Sequence, residues 1–222
     1  MGNSNPYQAA QAALVLNHLV LDINQVDAEA LTRFCNDPQS DERVQVRKFF
    51  TVSEKTRLLL EITKVTIPVT TEKKTKDCFL GDRYCYRDSD LDNLLAKVQP
   101  TGMAGQFTVH QLEKELNFKE VAQAILGVDE APLNDLAKGI IEKGHTVVLP
   151  QIESLIERTD TGENTGLRTD GYANFFFVIN KEGGVSVVNV PRYGGRRWNV
   201  YVYHFGNGLR WDVEHRFFSR NS

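Results

Sequence analysis

Cysteine is scarce in this chain of 222 residues: Cys35, Cys78 and Cys85 are the only three. Neither their spacing nor a nearby histidine builds a zinc motif. Free, reduced thiols are expected, with a disulfide between Cys78 and Cys85 as the alternative, and redox chemistry is not indicated. Long apolar runs are missing too. The N-terminal stretch MGNSNPYQAAQAALVLNHLVLDI is interrupted by Asn17, His18 and Asp22, which leaves it short of the roughly 20 apolar residues of a spanning helix. It lacks the positive n-region of a signal peptide, and Pro6 stands where a myristoylation motif needs Ser or Thr. No membrane span and a cytoplasmic location are expected. Charge of one sign is also missing, because 26 basic and 29 acidic residues leave a net charge of -3. No global field draws the chain to nucleic acid, so a nucleic-acid role needs a local patch. Glycine-rich phosphate loops, GxSxG and HExxH are absent from the sequence, and no cofactor or metal is expected.

What is present suggests one large domain or two small ones. After Asn5 and Pro6, residues 7–20 are rich in Ala and Leu and read as a helix; Asp27 caps a second, AEALTRFCN, and Asp41 opens a third. From Leu58 the pattern turns to strand. Val65, Ile67 and Val69 alternate with Lys64, Thr66 and Pro68, and Pro68 implies an edge or a strand end. EKKTKD at 72–77 reads as a solvated turn and CFLGDRYCYR as another strand pair or hairpin. Ser89 or Asp90 caps DLDNLLAKV, and QPTGMAG is the best internal linker. Helical stretches follow in TVHQLEKELNFKEVAQAILGV, LNDLAKGIIEKG and LPQIESLIER. Beyond the glycine-bearing segment 159–171, the runs NFFFVIN, VSVVNV, WNVYVYHF and RWDVEHRFF are separated by KEGG, PRYGGRR and GNG, which predicts an antiparallel meander. The expected class is α+β, with a mixed region at 1–105, a helical middle at 106–165 and a C-terminal sheet at 166–222.

That C-terminal region has an unusual composition. All 12 lysines lie at or before Lys181, whereas six of 14 arginines fall in the last 31 residues together with both tryptophans. Rigid rings and planar guanidinium forks without lysine are the chemistry of binding surfaces. Strand alternation puts Trp198, Val200, Val202 and His204 on one face and Asn199, Tyr201, Tyr203 and Phe205 on the other. The valines suit the core, which leaves Tyr201, Tyr203 and Phe205 as an exposed aromatic stripe; the alternative is that these rings pack under the helices in a two-sided core. The candidate ligand-binding set is Arg197, Asn199, Tyr201, Tyr203, Phe205, Asn207, Leu209, Arg210, Asp212 and His215.

The stretch LRTDGYANFFFVINKEGGVSVVNV, the Trp-rich segment after it and the ending RFFSRNS resemble the C-terminal part of uncharacterised proteins encoded by candidate-phyla bacteria with reduced genomes. The likeness covers roughly the last 70 residues, with weaker similarity through VAQAILGV and LPQIESLIER. Such tails vary greatly among relatives, in a manner similar to the variable proteins of diversity-generating retroelements, in which mutated adenine codons alter ligand-contacting residues. The resemblance implies a diversified binder, with a C-type lectin fold as the usual scaffold, and supplies no catalytic residue. Randomised adenines in AAC codons reach Asn, Tyr, His, Asp, Phe, Gly and Leu but never Trp or Glu. Asn199, Tyr201, Tyr203, His204, Phe205, Gly206, Asn207, Gly208, Leu209, Asp212 and His215 fall in the reachable set; Trp198, Trp211 and Glu214 fall outside it and read as fixed scaffold.

Two competing chemistries remain. His204 and His215 with Asp212 or Glu214 could form an acid–base pair or metal site, although plain packing is the commoner use of such histidines. Residues 108–126 resemble a helix-turn-helix, yet Lys119 is the only base in the second half, too few for a recognition helix. A non-enzymatic binding protein for a protein or other macromolecular ligand is therefore expected, with a nucleic-acid-binding regulator that uses 108–126 and the C-terminal arginines as the alternative. Weak DNA and RNA binding near physiological salt is predicted. A filter-binding titration that found submicromolar affinity collapsing with added salt would favour the regulator.

Overall fold

The computed structural model describes residues 58–193 and 197–220, all within the compact unit Lys55–Ser222. The three helices expected before residue 51, Cys35 and Arg196 lie outside the described residues.

The strand β6 (Asn174–Ile179) reads NFFFVI, and three consecutive phenylalanines cannot share one face of a strand. Phe176 and Val178 enter one hydrophobic core, while Phe175 and Phe177 enter a second on the opposite face. Burial on both faces makes β6 a central strand, and its neighbours repeat the pattern. β7 (Val185–Asn189) pairs antiparallel with β6, and β9 (Arg197–His204) antiparallel with β7. On the other side of β6 lies β10 (Arg216–Arg220), parallel to it, with Phe218 in the first core and Phe217 in the second. Next comes β5 (Gly105–Leu112), antiparallel to β10, and then the edge strand β1 (Leu59–Ile67). The far edge is β3 (Tyr84–Arg87), which pairs parallel with β9, and β8 (Arg192–Tyr193) pairs with β9 as well. The order is β1-β5-β10-β6-β7-β9-β3 in a mixed sheet of eight strands. A separate two-stranded ladder joins β2 (Lys73–Lys74) to β4 (Val98–Gln99).

Helices cover both faces. α1 (Asp90–Leu94) and α4 (Leu149–Asp160) bury Leu91, Leu149, Ile152, Leu155 and Ile156 in the first core. α2 (Phe118–Leu126) and α3 (Leu133–Glu142) close the second core with Phe118, Val121 and Ala122 from one helix and Leu136 and Ile140 from the other, the spacing of a single helical face. α2 opens on a capping box in which Asn117 Oδ1 accepts from Glu120 N at 2.9 Å and Glu120 Oε2 from Asn117 N at 2.8 Å, and it ends at Gly127 in the left-handed conformation.

The protein is α+β, and several finer expectations need correcting. The helical middle begins with a strand, since residues 105–112 form β5, so 108–126 is strand, loop and helix instead of a helix-turn-helix. Phe107, Thr108 and Val109 are all buried, and the ladder of Phe107–Gln111 with β10 holds the segment in the sheet. The meander holds through β6, β7 and β9, but β10 leaves it and inserts between β5 and β6. Both of its faces are apolar, and only a central slot buries them. Segments from 1–105, 106–165 and 166–222 consequently contribute to one sheet. Pro68 directly follows the edge strand β1. Cys78 and Cys85 are free thiols, the first buried and the second exposed. Among the described residues no helix is long and apolar enough to cross a membrane.

One buried group makes stability depend on pH. His145 is 3 % exposed, and neither ring nitrogen has a hydrogen-bond partner of good geometry. Burial, with Lys143, His110 and Arg220 nearby, pushes its pKa down to about 4, although the Arg220 backbone acts in the opposite sense. Protonation then favours the unfolded chain, whose histidine titrates near 6.5. The contribution is intact above pH 6.5, is lost as pH falls towards 4, and levels off below. Urea unfolding across this range should show a shallower decline for His145→Leu than for the native chain, and equal slopes would contradict this assignment.

Candidate functional site

The strand β9 carries the site. Its residues alternate as the period-two pattern requires: Trp198, Val200 and Val202 are buried in the first core, while Arg197, Asn199, Tyr201 and Tyr203 face the other way. Trp198 is anchored. Its Nε1 donates to Asp160 Oδ1 at 3.1 Å, and the Arg192 guanidinium lies 5.3 Å from the ring while it pairs with the same carboxylate at 3.2 Å. The strand therefore cannot roll to exchange its faces without uncovering an indole.

On the opposite face the expected aromatic stripe divides. Phe205 is only 4 % exposed and packs edge-on against Phe177 at 5.9 Å, so its assignment to an exposed surface is corrected. The reason lies just past the end of β9, where the chain meets the start of α3: a Cβ on Gly206 would stand 2.8 Å from Leu133 Cδ2. Tyr203 is half-buried between Phe118 at 5.9 Å and Trp211 at 5.4 Å. Tyr201, two residues nearer the start of β9, packs on another tyrosine, Tyr86, with ring centroids 5.0 Å apart. Exposure thus rises along the strand away from α3.

Tyr86, Tyr193 and Asn189 contribute as well, none of them among the residues expected from the sequence. Tyr86 is 46 % exposed and arrives on β3, opposite Asn199 in the parallel ladder. Tyr193, 52 % exposed, stands opposite Arg197 in the β8–β9 pair. Asn189, opposite Tyr201, is buried with its Oδ1 unpartnered, and Asn199 Nδ2 donates to Tyr201 Oη at 3.2 Å. The YCYR spacing of β3 was a readable signal for a second tyrosine-bearing strand; its pairing with β9 was not. The result is a sheet end lined by Tyr86, Tyr193, Tyr201, Tyr203, Asn199 and Arg197.

The remaining predicted residues belong to the loop before β10. Asn207 Oδ1 accepts from Leu209 N at 2.9 Å and closes a turn, and Leu209 and Asp212 are exposed. Arg210 is committed to α2: it meets Glu115 at 3.0 Å, Glu120 at 3.1 Å and the Glu115 carbonyl at 2.8 Å. Trp211 stacks on Phe118 at 5.6 Å and bridges by backbone to Leu116. His215 Nδ1 accepts from Ala173 N at 2.9 Å, so the neutral ring carries its proton on Nε2. Burial lowers the His215 pKa, and its neighbours are the rings of Trp211, Phe175 and Tyr172. His215 is a packing residue in this setting. Glu214 pairs with Arg168, which also binds Asp170 and lies 4.4 Å over Tyr172. Among the described residues no group of three or more His, Cys, Asp or Glu side chains is placed to hold a metal.

Chemically the sheet end offers aromatic area and neutral hydroxyls. Asp88 raises the pKa of Tyr86, and burial raises that of Tyr203 while the Asn189 side chain opposes the shift. These two phenols stay protonated at neutral pH and can both donate and accept. No protein-family model matches the chain, and neither a curated protein nor a solved structure is significantly similar to it.

The division of the stripe is testable by truncation. Phe205→Ser should cost about 3 kcal/mol or more in urea unfolding, as buried rings do, whereas Tyr86→Ser and Tyr201→Ser should each stay within about 1 kcal/mol of the native chain. A Tyr201→Ser loss as large as that of Phe205→Ser would place Tyr201 in the core.

Proposed function

We propose that the protein is a non-enzymatic binding module that presents the tyrosine-, asparagine- and arginine-bearing end of its sheet to a protein ligand. The observation that carries this reading is the open β9–β3 face, where Tyr86 and Tyr193 are exposed beside the half-buried Tyr201 and Tyr203. Tyrosine supplies large contact area at small entropic cost, and asparagine supplies adaptable hydrogen bonds, the division of labour found in binding loops of recognition proteins. The face is built on strands whose other side is core, so it is rigid before any ligand arrives.

A second observation supports diversification of this surface. Trp198, which adenine mutagenesis cannot reach, is fully buried, and Trp211 is packed among Phe118, Phe175 and Tyr203. Of the reachable positions, Asn199, Tyr201, Tyr203, His204, Gly206, Asn207, Gly208, Leu209, Asp212 and His215 are half-buried or exposed, and Phe205 is the buried exception. With Phe205 and Glu214 as the exceptions, fixed residues lie towards the core and changeable ones towards the surface, the division that a diversified binder requires.

Sequencing the gene across a population of its host tests this reading. Variation should concentrate at adenine-derived codons for Asn199, Tyr201 and Tyr203 while Trp198 and Trp211 stay constant, with a reverse-transcriptase gene and a near-copy of the tail close by. Variation spread evenly over the last 70 codons would count against diversification. For binding itself, a partner captured by the native chain should lose affinity by about 100-fold or more with Tyr86→Ser/Tyr201→Ser, and a partner indifferent to that pair would remove the surface from consideration.

A further inference from the structure

At the other end of the sheet, the parallel neighbours β6 and β10 stay paired through Phe176 and Phe218 and then separate. Ser219 and Arg220 continue along β5 opposite Thr108 and Phe107, while Phe177 takes Thr146 as its partner and its carbonyl accepts from Val147 N at 2.9 Å. Residues 144–148 therefore enter where the strands part and lead into α4. A cavity of about 350 Å³ lies beside this junction, with Phe107, Val147 and Val178 among its walls and Gln151, Asn180 and Arg220 among its polar lining. Such a crevice is a common result of two adjacent strands diverging, and its size is at the small end for ligand sites.

The polar lining narrows what the cavity can hold. Gln151 is already engaged: its Nε2 donates to the carbonyls of Pro68 at 3.0 Å and Met103 at 2.9 Å, and its Oε1 accepts from Val148 N. Arg220 differs. Arg168, Arg192 and Arg210 each meet a carboxylate, whereas among the described residues Arg220 has none and donates only a long 3.4 Å bond to Ala104 O. No acidic residue lines the cavity. The guanidinium is nevertheless seated, because a Cβ on Gly105 would lie 3.1 Å from its Nη2 and one on Gly144, whose φ is +70°, 3.0 Å from its Nη1. Two glycine backbones thus leave room for a planar fork. Lys143 and Arg220 together make the surroundings of His145 positive.

We propose that this cavity binds a small organic carboxylate with a short apolar body: the carboxylate meets the Arg220 fork, and the hydrocarbon lies against Phe107, Val147 and Val178. A single guanidinium beside apolar walls suits a planar, bidentate carboxylate better than a phosphate, which needs more donors. The site is separate from the β9–β3 surface and does not depend on it.

Calorimetric titration of the full chain with hexanoate and with benzoate, and with hexanamide and benzamide as neutral counterparts, tests the proposal. One of the two acids should bind saturably with a dissociation constant below about 1 mM, and its amide at least about tenfold more weakly. Arg220→Gln should weaken the acid by about tenfold or more while the melting temperature holds. Met103→Trp, at an exposed position in the cavity lining, should block binding without touching Arg220, so the test stands even if Arg220→Gln misfolds. Failure of both acids to bind the native chain, equal binding of acid and amide, or undiminished binding to Arg220→Gln or to Met103→Trp would each overturn it.

Discussion

Three adjacent phenylalanines in β6 impose the constraint on which the architecture depends. Phe175 and Phe177 point to one side of the strand and Phe176 to the other, and all three are fully buried. Both faces of the sheet must consequently be dry, which requires one helical layer from α2 and α3 and another from α1 and α4. The same demand selects the neighbours. Phe217 stacks on Phe175 at 4.6 Å and Phe218 on Phe176 at 4.4 Å, and these two ring pairs, one per face, fix the register of the parallel β6–β10 ladder. Rings of this size contribute roughly 1.5–3 kcal/mol each on burial, so a one-residue slip that exchanged the faces would forfeit several such contributions at once.

The arginine-rich, lysine-poor tail takes a different meaning from the contacts. Arg192 joins Asp160 and Trp198, Arg210 ties the loop to the first turn of α2, and Arg216 donates to the Gly166 carbonyl at 2.6 Å. Arg192 and Arg210 each fasten a late segment of chain to earlier residues through more than one N–H or through a ring face, a task suited to a planar fork and not to an ammonium. Exposed pairs of this kind are worth little in isolation; their effect here is to fix where the loop lies. Arg197 is left exposed on the tyrosine face, and Arg220 beside the cavity.

Local pattern was readable and long-range partnership was not. Alternation in β9 placed Trp198, Val200 and Val202 correctly because a strand's period does not depend on its neighbours. The strands β6, β7 and β9 were legible from their turns, and α2, α3 and α4 from spacing. β5 was misread because TVHQLEKEL satisfies a helical pattern of leucines, and pairing with β10 overrides that preference. Phe205 was misassigned for the same reason: its side was right, but only the position of α3 decides whether that side is covered at its end of the strand. Of the tyrosine surface, the β9 residues were visible in advance, whereas Tyr86 depends on a pairing that no local signal announces.

That pairing bears on how the chain reaches its final form. β7, β8 and β9 are joined by short connections, so they can zip together early at small entropic cost. β3 must dock from far away: Asp88, just beyond it, accepts a hydrogen bond from Val202, 114 positions later in sequence. Contacts of such separation carry a large loop-closure cost, and the tyrosine surface exists only once this strand, whose Tyr84 also packs against the first core, lies along β9. The side chains that this strand turns outward, Tyr86 and Cys85, touch neither core. An edge of this kind can absorb many substitutions in its exposed side chains while the phenylalanines buried in the two cores never encounter them.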